Sequence, residues 1–287
     1  MLEIGGSHVS AAVVDASTGT LVGAVHRRDL DGAAPAADIL DALVAAAALL
    51  SVPDTATWGV AMPDPFDYAR GVGLFTGVGK FESLHGLDLR AVLSARLPGG
   101  GQAIHFLNDA DAFALGEWAH GAGAGHRRCV GLTLGTGVGS GWIVDGRITS
   151  SGPGLPPDGR AHRLRIGGAP LEETVSSRAI RRAYRAATGA AGCDVRTIAA
   201  RARDGEPAAR AVLRHAMRSL GGALGPCVRD FAADVVVIGG SMSASWDLFE
   251  PWFRSGSPAD APPIRPADDP EHAALLGAAR FALGQTG

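Results

Sequence analysis

Two stretches of this 287-residue chain carry residue types and spacings suited to chemistry. The first is Asn108-Asp109-Ala110-Asp111, where the apolar segment Ile104 to Leu107 gives way to a helix-like run ending near Gly121. The second is Leu134-Gly135-Thr136-Gly137-Val138-Gly139-Ser140-Gly141, a glycine-rich turn after the strand-like Cys129 to Leu134. A carboxylate delivered by the end of a strand can accept a proton from a bound hydroxyl. Successive glycines let backbone N–H groups approach a phosphate closely. Phosphoryl transfer asks a protein for positioning and charge neutralisation more than for covalent work, and these two devices together fit that demand.

The rest of the chain supplies elements to position them. Leu2-Glu3-Ile4 and His8 to Asp15 read as strands that meet at a Gly5-Gly6-Ser7 turn, and Leu21 to His26 reads as a third strand. Exposed N–H groups and a hydroxyl at that turn suit a phosphate, and Glu3 just before it suits a hydrated Mg²⁺. An ordinary hairpin with a flexible turn fits the same residues. Asp38 to Leu50 and Leu87 to Leu97 have the composition and apolar spacing of helices. Between them, Thr57 to Met62 is a short apolar strand halted by Pro63-Asp64-Pro65. Such an ending places side chains at the carboxyl edge of a sheet, where open α/β sheets bind ligands. The glycine-rich stretch Arg70 to Phe81 carries Arg70, Thr76 and Lys80, and reads equally as a substrate-covering loop or an irregular connection.

The strands flanking Gly135-Thr136-Gly137 repeat the N-terminal hairpin, which suggests two similar lobes facing a shared nucleotide. A loop-like Ser150 to Gly168 follows, and helices are expected over 178–187, 195–202 and 208–231. Asp234 to Ile238 is a buried-type strand delivering Gly239-Gly240-Ser241, where a purine or sugar can lie against backbone. A further element covers Trp246 to Phe253, and Glu271 to Leu283 is a closing helix. The alternation of strands and helices argues an α/β fold.

Composition narrows the classes further. Apolar residues make up 46% and charged residues 19%, a globular balance. The net charge of −3 argues for neither a nucleic-acid nor an anionic-membrane partner. Basic residues between Arg178 and Arg218 are interleaved with Ala and Leu at helical spacing, the pattern of a solvated face. The longest purely apolar run, Ala42 to Leu50, is far short of the roughly 20 residues that span a bilayer. No basic segment precedes an apolar stretch near Met1, so no secretory leader is expected. Cys129, Cys193 and Cys227 lie far apart without metal spacing, so neither a disulfide scaffold nor a cysteine zinc site is expected. The chain reads as cytoplasmic.

Together these residues resemble the ROK family of sugar kinases, a branch of the actin-like ATPase-domain (ribonuclease H-like) fold, over essentially the whole chain. Glu3-Ile4-Gly5-Gly6-Ser7 resembles the family's first phosphate motif. Asn108 to Glu117 resembles its sugar and catalytic motif. Leu134 to Gly141, followed by Asp145-Gly146-Arg147, resembles its second phosphate motif, and Val237-Ile238-Gly239-Gly240-Ser241 its adenosine motif.

The resemblance implies a two-lobed α/β fold with the active site in the interdomain cleft. Residues 1–107 with 270–287 would form one lobe and 108–269 the other. It also implies transfer of the γ-phosphate of ATP, with Mg²⁺, to the primary hydroxyl of a hexose. Glucose is the default, and an amino sugar or sugar-like cyclitol the alternative. Asp109 would accept the proton of the attacking hydroxyl, with Asn108 holding a neighbouring hydroxyl and Thr76, His162 and Glu173 completing the substrate set. Gly5, Gly6, Ser7, Gly135, Thr136 and Gly137 would cradle phosphates, with Mg²⁺ held through water near Glu3. Gly239, Gly240 and Ser241 would hold the nucleotide, and a homodimer is expected. The competing reading of Asp109 is a helix N-terminal carboxylate offsetting the macrodipole, with Asn108 as the cap. Asp111, two residues on, does not share Asp109's direction and reads as structural.

The departures from the family's pattern carry information too. Glu3 stands where the family usually has Asp, and Asp64 replaces the glycine usual between two prolines. The family's Cys-x-Cys-Gly-x-x-Gly-Cys zinc motif is absent, its place taken by Arg165 to Leu171, so no zinc site is expected. Glu173 falls where the family has a sugar-binding glutamate. His162 matches the histidine of the family's Glu-x-Gly-His motif, but Gly159 stands at the glutamate, and this loss is what motivates a modified sugar as the alternative to glucose. A non-catalytic sugar-binding regulator of the same family is the alternative of another class. Such relatives carry a winged-helix segment ahead of the first phosphate motif. Only two residues precede Glu3, so that segment is not expected.

Overall fold

Strands β1 (Leu2–Ile4), β2 (His8–Val14) and β3 (Leu21–Asp29) open the chain as an antiparallel meander, with Leu2 opposite Ala11 and Ile4 opposite Val9. The computed structural model describes residues 1–101 and 103–285. Strand β3 runs past the expected His26 because Arg27, Arg28 and Asp29 continue the pairing with Ser10, Val9 and His8. Helix α1 (Ala36–Ala47) follows Pro35 and buries Ile39, Leu40, Leu43, Ala46 and Ala47, a stripe at helical spacing. Strand β4 (Thr57–Met62) lies parallel to β1 and is buried along nearly its whole length, hence its unbroken apolar character.

A short ribbon follows, β5 (Phe66–Asp67) paired with β6 (Val72–Gly73). Helix α2 (Leu89–Arg96) starts two residues later than expected because Asp88 serves as its N-cap, accepting the Ala91 N–H at 2.9 Å. Strand β7 (Ala103–Asn108) pairs in parallel with β4, Asn108 standing opposite Met62. Helix α3 (Asp109–His120) then begins with no connecting residue. The sheet order is β3-β2-β1-β4-β7.

The same plan recurs. Strands β8 (Arg128–Leu134), β9 (Val138–Val144) and β10 (Arg147–Ile148) form a second meander. A ribbon of β11 (Arg165–Ile166) and β12 (Ala169–Pro170) leads to α4 (Glu172–Val175), α5 (Ser177–Thr188), α6 (Val195–Arg203) and the long α7 (Pro207–Asp230). Strand β13 (Val235–Gly239) joins β8 in parallel. Beyond α8 (Trp246–Gly256), β14 (Ile264–Pro266) joins β13 in parallel. The order β10-β9-β8-β13-β14 matches the first sheet strand for strand. The glycine turn is tighter than its sequence suggests: Gly139 and Gly141 lie in the ladder opposite Thr133 and Gly131, leaving Gly135-Thr136-Gly137 as the loop.

Helix α9 (Ala273–Gly284) ends the described chain and packs on β4 and β7. It crosses α3 backbone to backbone, since a Cβ on Gly116 would strike Ala273 O and one on Gly277 would strike Ala112 O. The two compact units are therefore Met1–Ala119 with Glu271–Gly287, and His120–Pro270, with α3 kept beside the strands it follows. The first core gathers Leu2, Ile4, Val60, Met62 and Phe106 with Ile39 and Leu43 of α1. The second gathers Val130, Leu132, Val236 and Ile238 with Leu213, Met217 and Leu220 of α7. Among the described residues, no helix is long and apolar enough to cross a membrane.

Candidate active site

The β7–α3 junction is a closed hydrogen-bond node. Asn108 is 5% exposed, and its Oδ1 accepts the N–H groups of Ala110 (3.0 Å) and Asp111 (3.2 Å), capping α3. Its Nδ2 donates to Asp64 Oδ2 at 3.2 Å and to the Tyr68 hydroxyl oxygen at 3.1 Å. The Tyr68 hydroxyl in turn lies within donating distance of Asp64 Oδ1 (2.9 Å) and Met62 O (3.0 Å). Both donors and both acceptor positions of the Asn108 amide are thus engaged. The residue reaches a ligand hydroxyl only by exchanging one of these partners. Burial and the neighbouring Asp64 charge push the Tyr68 phenol far above its ordinary range, keeping it a neutral donor.

Asp109 is the first residue of α3, and its Oδ1 accepts the Ala110 N–H at 2.8 Å. Glu3, on β1, is its electrostatic neighbour. Burial pushes the Glu3 carboxyl above the usual range; the Ser10 hydroxyl opposes that push and the Asp109 charge adds to it. His8 Nε2 stands 3.9 Å from Glu3 Oε2. Two neighbouring hard carboxylates suit a small divalent cation such as Mg²⁺. Among the described residues, no group of three or more His, Cys, Asp or Glu side chains is placed to hold a metal ion. Glu3 and Asp109 are the residues that would face a Mg²⁺ brought in on phosphate oxygens.

The first glycine turn is partly self-satisfied. The Gly5 N–H donates to His8 O at 2.9 Å, and the His8 ring packs so closely that a Cβ on Gly5 would sit 2.8 Å from its Cε1. Gly6 and Ser7 are exposed, while Ser7 O accepts the Leu30 N–H at 2.9 Å. Thr76 lies on an exposed loop with its hydroxyl 3.1 Å from His85 Nδ1.

In the second unit, Gly135 N–H donates to Gly137 O at 3.0 Å and Gly135 O accepts the Ser177 N–H at 2.8 Å. Val138 N–H donates to Glu172 Oε1 at 2.7 Å, and a Cβ on Gly137 would lie 2.6 Å from that oxygen. The third turn meets this one. Gly240 holds φ +78° with a would-be Cβ 2.5 Å from Leu134 O, and Met242 N–H donates to Leu134 O at 3.1 Å. Ser241 Oγ lies 3.5 Å from a Cβ built on Gly135. Gly135, Thr136, Gly137, Gly239, Gly240 and Ser241 are thus gathered at the carboxyl ends of the parallel pair β8 and β13, the ligand-binding edge of such sheets.

His162 sits half-buried on the short turn Ala161–Arg163. Ser140 Oγ positions that turn by accepting the Ala161 N–H (2.8 Å) and donating to Gly159 O (2.9 Å), which Trp142 Nε1 also reaches at 2.9 Å. Gly159 holds φ +70°, and a Cβ there would stand 3.0 Å from Ser150 Cα. The backbone at Gly159 therefore disfavours any side chain, and the missing glutamate is built into the fold. Glu173 is exposed and pairs with Arg182 (2.8 Å) and Arg178 (3.1 Å). Its neighbour Glu172 is the one that faces the glycine turn. Sequence reasoning missed Tyr68 and Glu172 as site-building residues. It noticed Asp64 only as a departure, although a carboxylate between two prolines at a strand end is a signal in itself.

The topology and paired sheets define an actin-like ATPase fold. The ROK hexokinase structure from Thermus thermophilus superposes with a TM-score of 0.78 and 25% identity over 100% of this chain and 98% of that one. The sequence matches the ROK family over residues 1–162 and 165–285, and the chain belongs to that family. It is 28% identical over 212 residues to the glucokinase of Thermotoga maritima, covering 66% of this chain and 65% of that protein. It is 32% identical over 177 residues to the polyphosphate glucokinase of Mycobacterium tuberculosis, covering 61% and 62%. The matches span a little under two thirds of these relatives' lengths.

Proposed function

We propose that this chain is a sugar kinase that transfers the terminal phosphoryl group of ATP to the primary hydroxyl of a hexose, glucose-like by default. The observation that carries this reading is the carboxylate of Asp109, fixed at the first residue of α3 beside the Glu3 carboxylate. As the sugar oxygen bonds to phosphorus, Asp109 takes the hydroxyl proton and ADP leaves with the electrons of the broken P–O bond. Mg²⁺, carried in on the donor, offsets phosphate charge, and Glu3 and Asp109 are the groups that would face it. Gly6, Ser7 and the 135–137 turn would orient the phosphates, with Gly239, Gly240 and Ser241 against the nucleoside. Asn108 and His162 would contact sugar hydroxyls.

The ROK membership and the glucokinase relatives support the reaction class. Gly159, whose backbone disfavours the family's glutamate, motivates an amino sugar or sugar-like cyclitol as the alternative substrate. By the same resemblance the working unit is a homodimer. The test is ADP release over a panel of hexoses, amino sugars and cyclitols, run with ATP and, given the polyphosphate glucokinase relative, phosphate-product formation with inorganic polyphosphate. A preparation that binds ATP yet phosphorylates no member of the panel from either donor overturns the reading.

A further inference from the structure

Lys80 lies beside the Gly5-Gly6-Ser7 turn, and its placement is built in. A Cβ on Gly6 would sit 3.7 Å from Lys80 Cδ. One on Gly32 would sit 3.2 Å from Lys80 Cβ and 3.3 Å from Gly6 O, so glycine at position 32 admits the lysine stem, which lies in van der Waals reach of Gly6. Hydrogen bonds fix the loop there: Phe81 N–H donates to Gly32 O at 2.5 Å, Ser83 Oγ to Ala34 O at 2.8 Å, and Gly79 N–H to the Glu82 carboxylate at 2.9 Å. Phe81 is fully buried yet holds φ +58°, a left-handed conformation that bulky side chains rarely adopt. Strain of this kind persists only where its surroundings enforce it, and it clusters at ligand sites. Here it lets the Phe81 ring enter the core against Phe75 (5.4 Å between centroids) while the preceding Lys80 stays half-exposed along the turn.

Lys80 is also the only lysine in the chain; every other one of the 26 Lys and Arg side chains is an arginine. An ammonium is a compact point charge on a flexible stem, able to follow a phosphate as it moves, which a planar guanidinium does less well. Among the described residues, no carboxylate pairs with it. The same unit brings two carboxylates, Glu3 and Asp109, to the strand and helix ends beside this turn, and their charge opposes an incoming anion. The Lys80 ammonium at the turn counters them.

We propose that Lys80 binds the terminal phosphoryl group of a phosphoanhydride donor, ATP or inorganic polyphosphate, against the Gly5–Ser7 turn. This assignment rests on the kinase reading above. Binding of tripolyphosphate, followed by calorimetry, should weaken about 10- to 100-fold in Lys80→Gln, the loss that one charge-assisted hydrogen bond carries. The KM for ATP or polyphosphate, in whichever arm supports turnover, should rise with it while the sugar KM holds, and Lys80→Arg should recover part of the loss. Because the lysine is unique, acylation of the Lys80 peptide by an amine-specific reagent can be followed by mass spectrometry in the unmodified protein. Tripolyphosphate should slow it, and separate protection by ATP and by polyphosphate identifies the donor. Unchanged tripolyphosphate affinity in folded Lys80→Gln, a parallel loss of sugar and donor affinity, or unprotected acylation would overturn the assignment. Absence of any sugar phosphorylation would defeat the kinase reading alone, since tripolyphosphate binding and acylation still decide the role of Lys80.

Discussion

The Asn108 amide donates to the Asp64 carboxylate at 3.2 Å, tying the start of α3 to the loop that leaves β4. Asp64 therefore sets the orientation of the residue that precedes the proposed base. Replacing it with Ala would leave one Asn108 Nδ2 hydrogen without its acceptor and the Tyr68 hydroxyl with Met62 O in place of the carboxylate. We expect a stability loss of about 1–3 kcal/mol, the usual cost of stranding one buried donor. We also expect the sugar KM to rise severalfold with the donor KM unchanged. Denaturant unfolding and steady-state kinetics check both; an unmoved sugar KM would reduce Asp64 to a purely structural strut.

Asp109→Asn keeps the size and the Ala110 contact but removes the proton acceptor. Turnover should fall about 10²- to 10⁴-fold, the range of positioned acid–base groups, while sugar affinity measured by calorimetry stays close to wild type. Activity within a few-fold of wild type would assign Asp109 to helix capping alone.

Glu172 closes the second glycine turn by accepting the Val138 N–H at 2.7 Å. Glu172→Ala should loosen that turn and raise the donor KM about 10-fold or more, in line with one hydrogen bond to a charged group. The sugar KM should not follow. Tighter donor binding in the variant would mean instead that the carboxylate stands in the way of phosphate.

Glu3 makes a pH-dependent prediction. Its folded-state carboxyl titrates above its ordinary value, because burial and the Asp109 charge disfavour the ionised form. The folded chain therefore binds that proton more tightly than the unfolded chain. Stability from this group is fully present below the unfolded value and is lost as pH rises through the folded one. Glu3→Gln should thus be more thermostable than wild type at pH 7.5, with the gap closing near pH 4. A gap that persists unchanged at low pH would remove the electrostatic explanation.

Much of the fold was legible because its signals are local. Apolar runs ending in Gly-Gly-Ser or Gly-Thr-Gly announce strands that stop at tight turns, and the repeat of that pattern suggests two similar lobes; that their sheets share one strand order is visible only in the structure. The site was less legible where a side chain's role depends on a distant partner. Asn108 serves as cap and strut at once because Asp64 lies 44 residues earlier in the chain. On α4, a one-residue difference decides which carboxylate turns inward. Glu173 faces Arg178 and Arg182, and Glu172 faces Val138. No spacing rule separates adjacent glutamates on a four-residue helix. The reach of Lys80 to Gly6 likewise depends on the left-handed Phe81, which no propensity would place there.

The crossing of Gly116 and Gly277 has a mechanical consequence. With no side chain between them, α3 and α9 touch through their main chains and cannot slide past one another without separating. Any motion that re-aims Asp109 must carry the chain's final helix with it. The proposed base is thereby mounted on a single stiff bracket, forged from segments roughly 160 residues apart, and a methyl group at either glycine would be felt at the carboxylate.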